Sequence, residues 1–187
     1  MKRSAAVAMA LLLVTVPVSA QTFGGARFGV AFGGTLPVGD LGDANDAGYH
    51  FGVHLTTPAF LLPASLRFEI VHNRMAHKAS DANTLITSGT VNAVFSGDAA
   101  AGTPMVFYGL AGAGIYFVKT VLLGTAPGTT RYDDVTRFGL NGGAGAKFPL
   151  GGFDAFAEAR LHWVSMDRDD FGASSAVYVP LSFGITF

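Results

Sequence analysis

Glu158, His162 and Ser165 are the residues whose types first suggest chemistry. A serine nucleophile needs a histidine within hydrogen-bonding reach and a third group to orient it. All three lie in one short stretch, Glu158-Ala-Arg-Leu-His-Trp-Val-Ser165. That stretch alternates. Ala155, Ala157, Ala159, Leu161 and Trp163 share one side, and Asp154, Glu158, Arg160 and His162 share the other. Such a period-2 pattern reads as a strand. Residues three apart on a strand face opposite sides, so His162 and Ser165 diverge. The spacing argues against a catalytic pair, and the chain reads as non-enzymatic.

The remaining candidates fail on spacing too. Acid clusters stand at Asp40, Asp43 and Asp46, at Asp133 and Asp134, and at Asp167, Asp169 and Asp170. A calcium loop starting at Asp43 would need ligands at Ala47 and His54. One starting at Asp167 would need them at Phe171 and Tyr178. Neither set can serve. Asp and Gly in these stretches fit turn chemistry, and weak divalent-cation association near lipid phosphates is the other reading. Asp170-Phe171-Gly172 has the letters of a kinase motif without its context. Gly142 to Lys147 resembles a phosphate loop, but Phe148 stands where Ser or Thr is required. With 0 Cys there is no thiolate site. A formal charge of −1 points to no nucleic-acid partner. No cofactor and no metal is expected.

The elements that carry these residues are the more informative feature. The 187-residue chain is 50% hydrophobic and only 13% charged, with 25 Gly. Lys2 and Arg3 precede an apolar run from Ala5 to Val14 and a small-residue site at Val18-Ser19-Ala20. Residues 1–20 read as a cleavable signal peptide and 21–187 as one domain. Beyond the signal come eight alternating segments: Arg27–Leu36, Tyr49–Thr57, Ala64–Met75, Thr84–Ser96, Met105–Thr120, Arg131–Phe148, Phe153–Ser165 and Ala176–Phe187. Most reach the roughly 9–11 residues that a tilted membrane strand needs. The links Pro58–Pro63, Gly97–Pro104 and Pro149–Gly152 are short or marked by Pro and Gly. Pro37–Gly48, Ala76–Asn83, Val121–Thr130 and Met166–Ser175 are polar and mostly longer. Short turns at one end and longer loops at the other fit an eight-stranded antiparallel up-and-down transmembrane barrel.

In such a barrel the polar faces point inward. The expected lumen network is Arg27, His54, Arg67, Glu69, Arg137, Asn141, Lys147, Glu158, Arg160 and His162, with His50, Asn73, Ser88, Thr90 and Asn92 beside them. Charges there must pair. Arg27, Arg67, Arg137, Lys147 and Arg160 can balance Glu69, Asp154 and Glu158. Gly139, Gly143 and Gly145 leave room for bulky lumen neighbours. The expected outer face carries Phe28, Val30, Phe32, Phe51, Val53, Leu55, Leu66, Phe68, Ile70, Val91, Phe95, Phe138 and Leu140, with Val177, Val179, Leu181, Phe183, Ile185 and Phe187 on the last strand. Aromatics including Tyr49, Phe107, Tyr108, Tyr116, Phe117, Tyr132, Phe148, Phe153 and Trp163 are read as interface girdles. The fifth segment is apolar on both faces, and its orientation stays open. A soluble lipocalin-like barrel would show the same alternation with its faces inverted. A small channel would share the architecture with an open lumen.

The chain also resembles the OmpA/OmpX-like outer-membrane β-barrel superfamily. The carriers are the signal-like start, Phe28 to Asp43, Phe107 to Tyr116, Phe156 to His162, and the ending Phe183-Gly-Ile-Thr-Phe187. The resemblance spans essentially all of residues 21–187. It implies location in the outer membrane, lipid and lipopolysaccharide as surroundings, and a monomeric barrel. It also implies that Phe183, Ile185 and Phe187 form the terminal signal read by the barrel-assembly machinery. Family members serve as envelope anchors, adhesins or small porin-like channels, so no single activity is implied. The lipid A deacylase pattern His-X-Ser-Asn is broken here, because Val164 stands at the serine position.

Overall fold

The computed structural model describes residues 25–59, 63–99, 101–122, 133–167 and 174–187. The signal-peptide reading, Tyr132, Asp169, Asp170, Phe171 and Gly172 lie outside these residues, as do the side chains of Asp133 and Asp134. The strands are β1 (Arg27–Val38), β2 (Gly48–Pro58), β3 (Ser65–Ala76), β4 (Ala82–Ala99), β5 (Val106–Leu122), β6 (Asp133–Pro149), β7 (Asp154–Ser165) and β8 (Ser175–Thr186). Each pairs antiparallel with its sequence neighbours, and β1 pairs with β8 to close the barrel. The closing ladder runs from Gly29 opposite Thr186 to Val38 opposite Val177.

Closure follows from the alternation. Every strand but β5 has one row that is apolar and one that is polar, small or mixed, so one curved sheet separates two environments. Phe28, Val30, Phe32, Phe51, Ile70, Phe138, Leu140 and Phe183 all face outward, with Phe32 67% and Ile70 60% exposed. Of the expected outer residues Leu66, Val177, Val179 and Ile185 are half-buried. Among the described residues no helix is long and apolar enough to cross a membrane.

Two features depart from the sequence reading. The stretch Pro37–Gly48, read as turn chemistry, contains a five-residue helix, α1 (Asp40–Ala44). It starts from Gly39 at φ 59° and ψ −140°, a conformation open to glycine and costly to residues with a Cβ. Asp40 and Asp43 lie in its first turn, where acids complement the helix dipole.

The second departure is β5. Tyr108, Leu110, Tyr116 and Val118 point inward, while Phe107, Ile115 and Phe117 point outward. Tyr108 and Tyr116 are therefore lumen residues, not girdle aromatics. Hydropathy could not choose between two apolar faces. The deciding signal lies on β6, where Gly145 stands opposite Tyr108. A Cβ at Gly145 would sit 2.5 Å from the Tyr108 hydroxyl and 2.6 Å from the Ala157 carbonyl oxygen. Gly145→Val should therefore destabilise the barrel by about 1–3 kcal/mol through overpacking. Gly142, where a Cβ would lie 3.6 Å from its nearest neighbour, should accept Ala with little change. Urea-unfolding midpoints of the two variants in detergent micelles check the contrast.

Candidate functional site

The lumen is built in tiers, from the end bearing the termini to the end bearing α1. At the first end Arg27 pairs with Asp154 and also donates to the Thr186 carbonyl at 3.2 Å. The Lys147 ammonium lies 4.9 Å from the Tyr108 ring centre and donates to Ser96 at 3.3 Å.

The next tier is the charged centre. Arg67 and Glu69 come from β3, and Glu158 and Arg160 from β7, four strands away around the ring and so across the lumen. Arg67 donates to Glu158 at 2.8 Å, Arg160 donates to Glu158 at 2.5 Å through Nε, and Arg160 Nη1 reaches Glu69. Tyr108 donates its hydroxyl to Glu158 at 2.7 Å. Two cations and two anions thus form a neutral cluster, each residue at most 6% exposed. The Arg67 guanidinium lies 5.5 Å from the Tyr108 ring and 5.9 Å from the Phe156 ring. Such a cluster is retained when its geometry satisfies every charge.

Histidines form the third tier. Thr35 donates to Asn73 at 2.9 Å, so its oxygen accepts from His50 Nδ1 at 3.0 Å. His50 Nε2 is then free to accept from Ser182 at 2.9 Å. This chain joins β1, β2, β3 and β8 across the closing seam. His54 lies instead on the terminal side of the charged centre, where it contacts Thr186 at 3.2 Å and packs edge-on against Phe156. His162 contacts the Tyr116 hydroxyl through Nδ1 at 3.0 Å and stacks on Tyr178, with ring centres 4.8 Å apart.

Beyond the polar tiers lies an apolar plug of Met75, Ile86, Tyr116, Val118, Val164, Met166, Ala176 and Tyr178, with Leu41 of α1 packed against it. A cavity of about 140 Å³ remains between this plug and α1.

The structure brings Arg67, Glu69, Glu158 and Arg160 together and holds His54 and His162 in the tiers beside them. Asn141 is buried near His162, its register partner. Arg27 and Lys147 sit at the terminal end. Arg137 departs from the expected pairing. It lies at the loop end and binds Asp167 at 2.9 Å, an acid counted among the turn residues and 70% exposed at its side chain. Sequence reading also missed Thr35, Tyr108, Tyr116, Tyr178 and Ser182 as lumen partners. The parity of each strand would have found all but the two on β5.

Chemically, the arrangement does not assemble a hydrolase from Glu158, His162 and Ser165. Glu158 is taken by two arginines and a tyrosine, and His162 by Tyr116. The serine–histidine contact at Ser182 and His50 is backed by Thr35 and Asn73, neither of which can carry the negative charge that stabilises an imidazolium. Among the described residues no group of three or more potential metal ligands gathers.

No family model and no curated protein sequence matches the chain. Among solved structures it is similar to the Neisserial surface protein A, with a TM-score of 0.66 at 16% identity, covering 87% of this chain and 96% of that one. The chain shares the fold of that protein, a closed up-and-down barrel of eight antiparallel strands. Two further matches are more distant. Yersinia pestis Ail has a TM-score of 0.49 at 20% identity, covering 87% of this chain and 99% of that one. The N-terminal β-barrel domain of Pseudomonas aeruginosa OprF has a TM-score of 0.47 at 16% identity, covering 87% and 97%. Within this fold an eight-stranded interior is just wide enough for side chains to fill it, and the tiers of this lumen do so.

Proposed function

We propose that the chain is a monomeric integral outer-membrane protein, carried across the inner membrane by residues 1–20, whose non-enzymatic work is done at its loop-side surface. The observation that carries this reading is the pairing of two opposites. A continuous apolar belt faces outward, and a salt-bridge cluster with an apolar plug fills the interior. In lipid every backbone amide must be satisfied internally, which a closed barrel achieves. The filled lumen favours a structural or surface role over conduction.

The loop end is itself organised. Lys78 donates through its backbone to the Ala44 carbonyl at 3.0 Å and through its ammonium to the Gly42 carbonyl at 2.5 Å. Asp46 N–H donates to the Ala76 carbonyl at 2.8 Å. The α1 loop and the β3–β4 turn therefore form one continuous surface. At the other end, Phe183 and Phe187 are exposed and Ile185 half-buried, in keeping with a terminal strand read by the assembly machinery.

The test is fractionation, with gels then run with and without boiling. The protein should appear in the outer membrane and migrate differently unboiled. Purified protein added to planar bilayers should give no stable unitary current. A soluble band without a heat shift would favour the lipocalin-like arrangement, and steady currents would favour a channel.

A further inference from the structure

The outward rows of the strands are almost uncharged until they approach the loop end. There His72 and Arg74 of β3 continue the row begun by Phe68 and Ile70. Arg74 stands in register with Tyr49 on one side and Leu85 on the other, and His72 with Phe51. Tyr49, Phe51, His72, Arg74, Asn83 and Leu85 line an outward groove of about 320 Å³. Lys119 of β5, in register with Leu85 on one side and Asp134 on the other, borders the groove without lining it.

Arg74 is the decisive residue. Its Nε donates to the Asn83 side-chain oxygen at 3.3 Å, which orients the guanidinium. No acid among the described residues pairs with it. That bond also fixes the Asn83 amide: the oxygen must face Arg74. Its Nδ2 donor then lacks an acceptor among the described residues, although Asn83 is only 6% exposed. His72 is fixed by a 2.9 Å contact between Nδ1 and Thr87 and by the Phe51 ring, centred 5.3 Å away. An oriented guanidinium without an acid beside an apolar belt is costly in a membrane unless an anion meets it. A phosphate monoester fits the planar fork, since it accepts two parallel hydrogen bonds.

We propose that this groove on β2–β4 holds the phosphorylated headgroup of an outer-leaflet lipid, with Arg74 as the main phosphate ligand and His72 beside it. Phe51 and Leu85 would carry the first part of an acyl chain. The proposal rests on the reading of the chain as an outer-membrane barrel.

The experiment uses the full barrel refolded in neutral detergent, with folding verified by its heat-dependent gel shift. Diphosphoryl lipid A and its dephosphorylated form are the probes, and bound lipid is counted by native mass spectrometry. The wild type should bind the phosphorylated lipid, and Arg74→Gln should weaken that binding by about tenfold with the gel shift retained. Equal binding of both lipids, or of both proteins, would overturn the proposal. Hydroxyl-radical footprinting of the wild type keeps the test decisive should the variant fail to refold. Tyr49 and His72 should be protected by the phosphorylated lipid. Protection elsewhere, or equal protection by excess orthophosphate, would overturn it. A protein that is soluble and shows no gel shift would instead remove the membrane reading itself.

Discussion

Glu158→Ala should cost the folded barrel about 3–5 kcal/mol, the range for breaking a buried ion pair from one side. Glu158 is the hub of the lumen, accepting from Arg67, Arg160 and Tyr108. Its loss leaves Arg67, 2% exposed, without its carboxylate, while Arg160 keeps Glu69. It also cuts one of the two bridges that tie β3 to β7 across the interior. Glu158→Gln keeps the shape and loses the charge, so it should fall between wild type and Ala. A double variant, Glu158→Ala with Arg67→Met, should recover part of the loss, because the stranded cation is gone as well. Unfolding in urea is read through Trp163, the single tryptophan, on the outward face of β7. A loss below about 1 kcal/mol would mean that water screens the cluster, and the filled-lumen reading would fall with it.

Much of this architecture was legible because a barrel strand writes its two environments into alternate residues. Arg67 and Glu69, or Glu158 and Arg160, are two apart and must share a face whatever the register. The lumen assignment therefore needed no knowledge of pairing. Partners were a different matter. That Arg160 reaches Glu69 across the lumen depends on how far each strand is staggered, and no local pattern records stagger. Arg137 shows the consequence: its parity is that of the lumen, but its height places it beside Asp167. β5 was illegible for the opposite reason. Val106 to Val118 is apolar or small at nearly every position, and the choice of inward row was made by glycines on β6 that admit Tyr108 and Tyr116. The α1 helix was hidden because Asp, Leu, Gly, Asp and Ala suit a turn as well as one helical turn, and its ordering comes from contacts with Lys78 and with the apolar plug.

A chain ending at Ser174 should fail to insert and should be digested by protease. Without β8, the rows of β1 from Gly29 to Val38 and of β7 from Asp154 to Ser165 lose their partners. In hydrocarbon each unpaired amide costs several kcal/mol, so the open sheet has no stable place in the bilayer. The lumen also loses Tyr178, Ser182 and Thr186, and with them contacts to His162, His50 and His54. Phe187→Ala separates this closure from the proposed assembly signal. The Phe187 amide donates to the Phe28 carbonyl at 2.7 Å, and alanine keeps that bond. Only the ring and its contact with Phe153 are lost. Purified Phe187→Ala protein should therefore refold in detergent with a normal gel shift. In cells its yield in the outer membrane should drop, because a terminal aromatic is what the assembly machinery would read. Failure to refold in detergent would make Phe187 a structural residue, and a normal cellular yield would remove its role as a signal. A truncated chain that still resisted protease would show that seven strands can close, and the strand count would have to be revised.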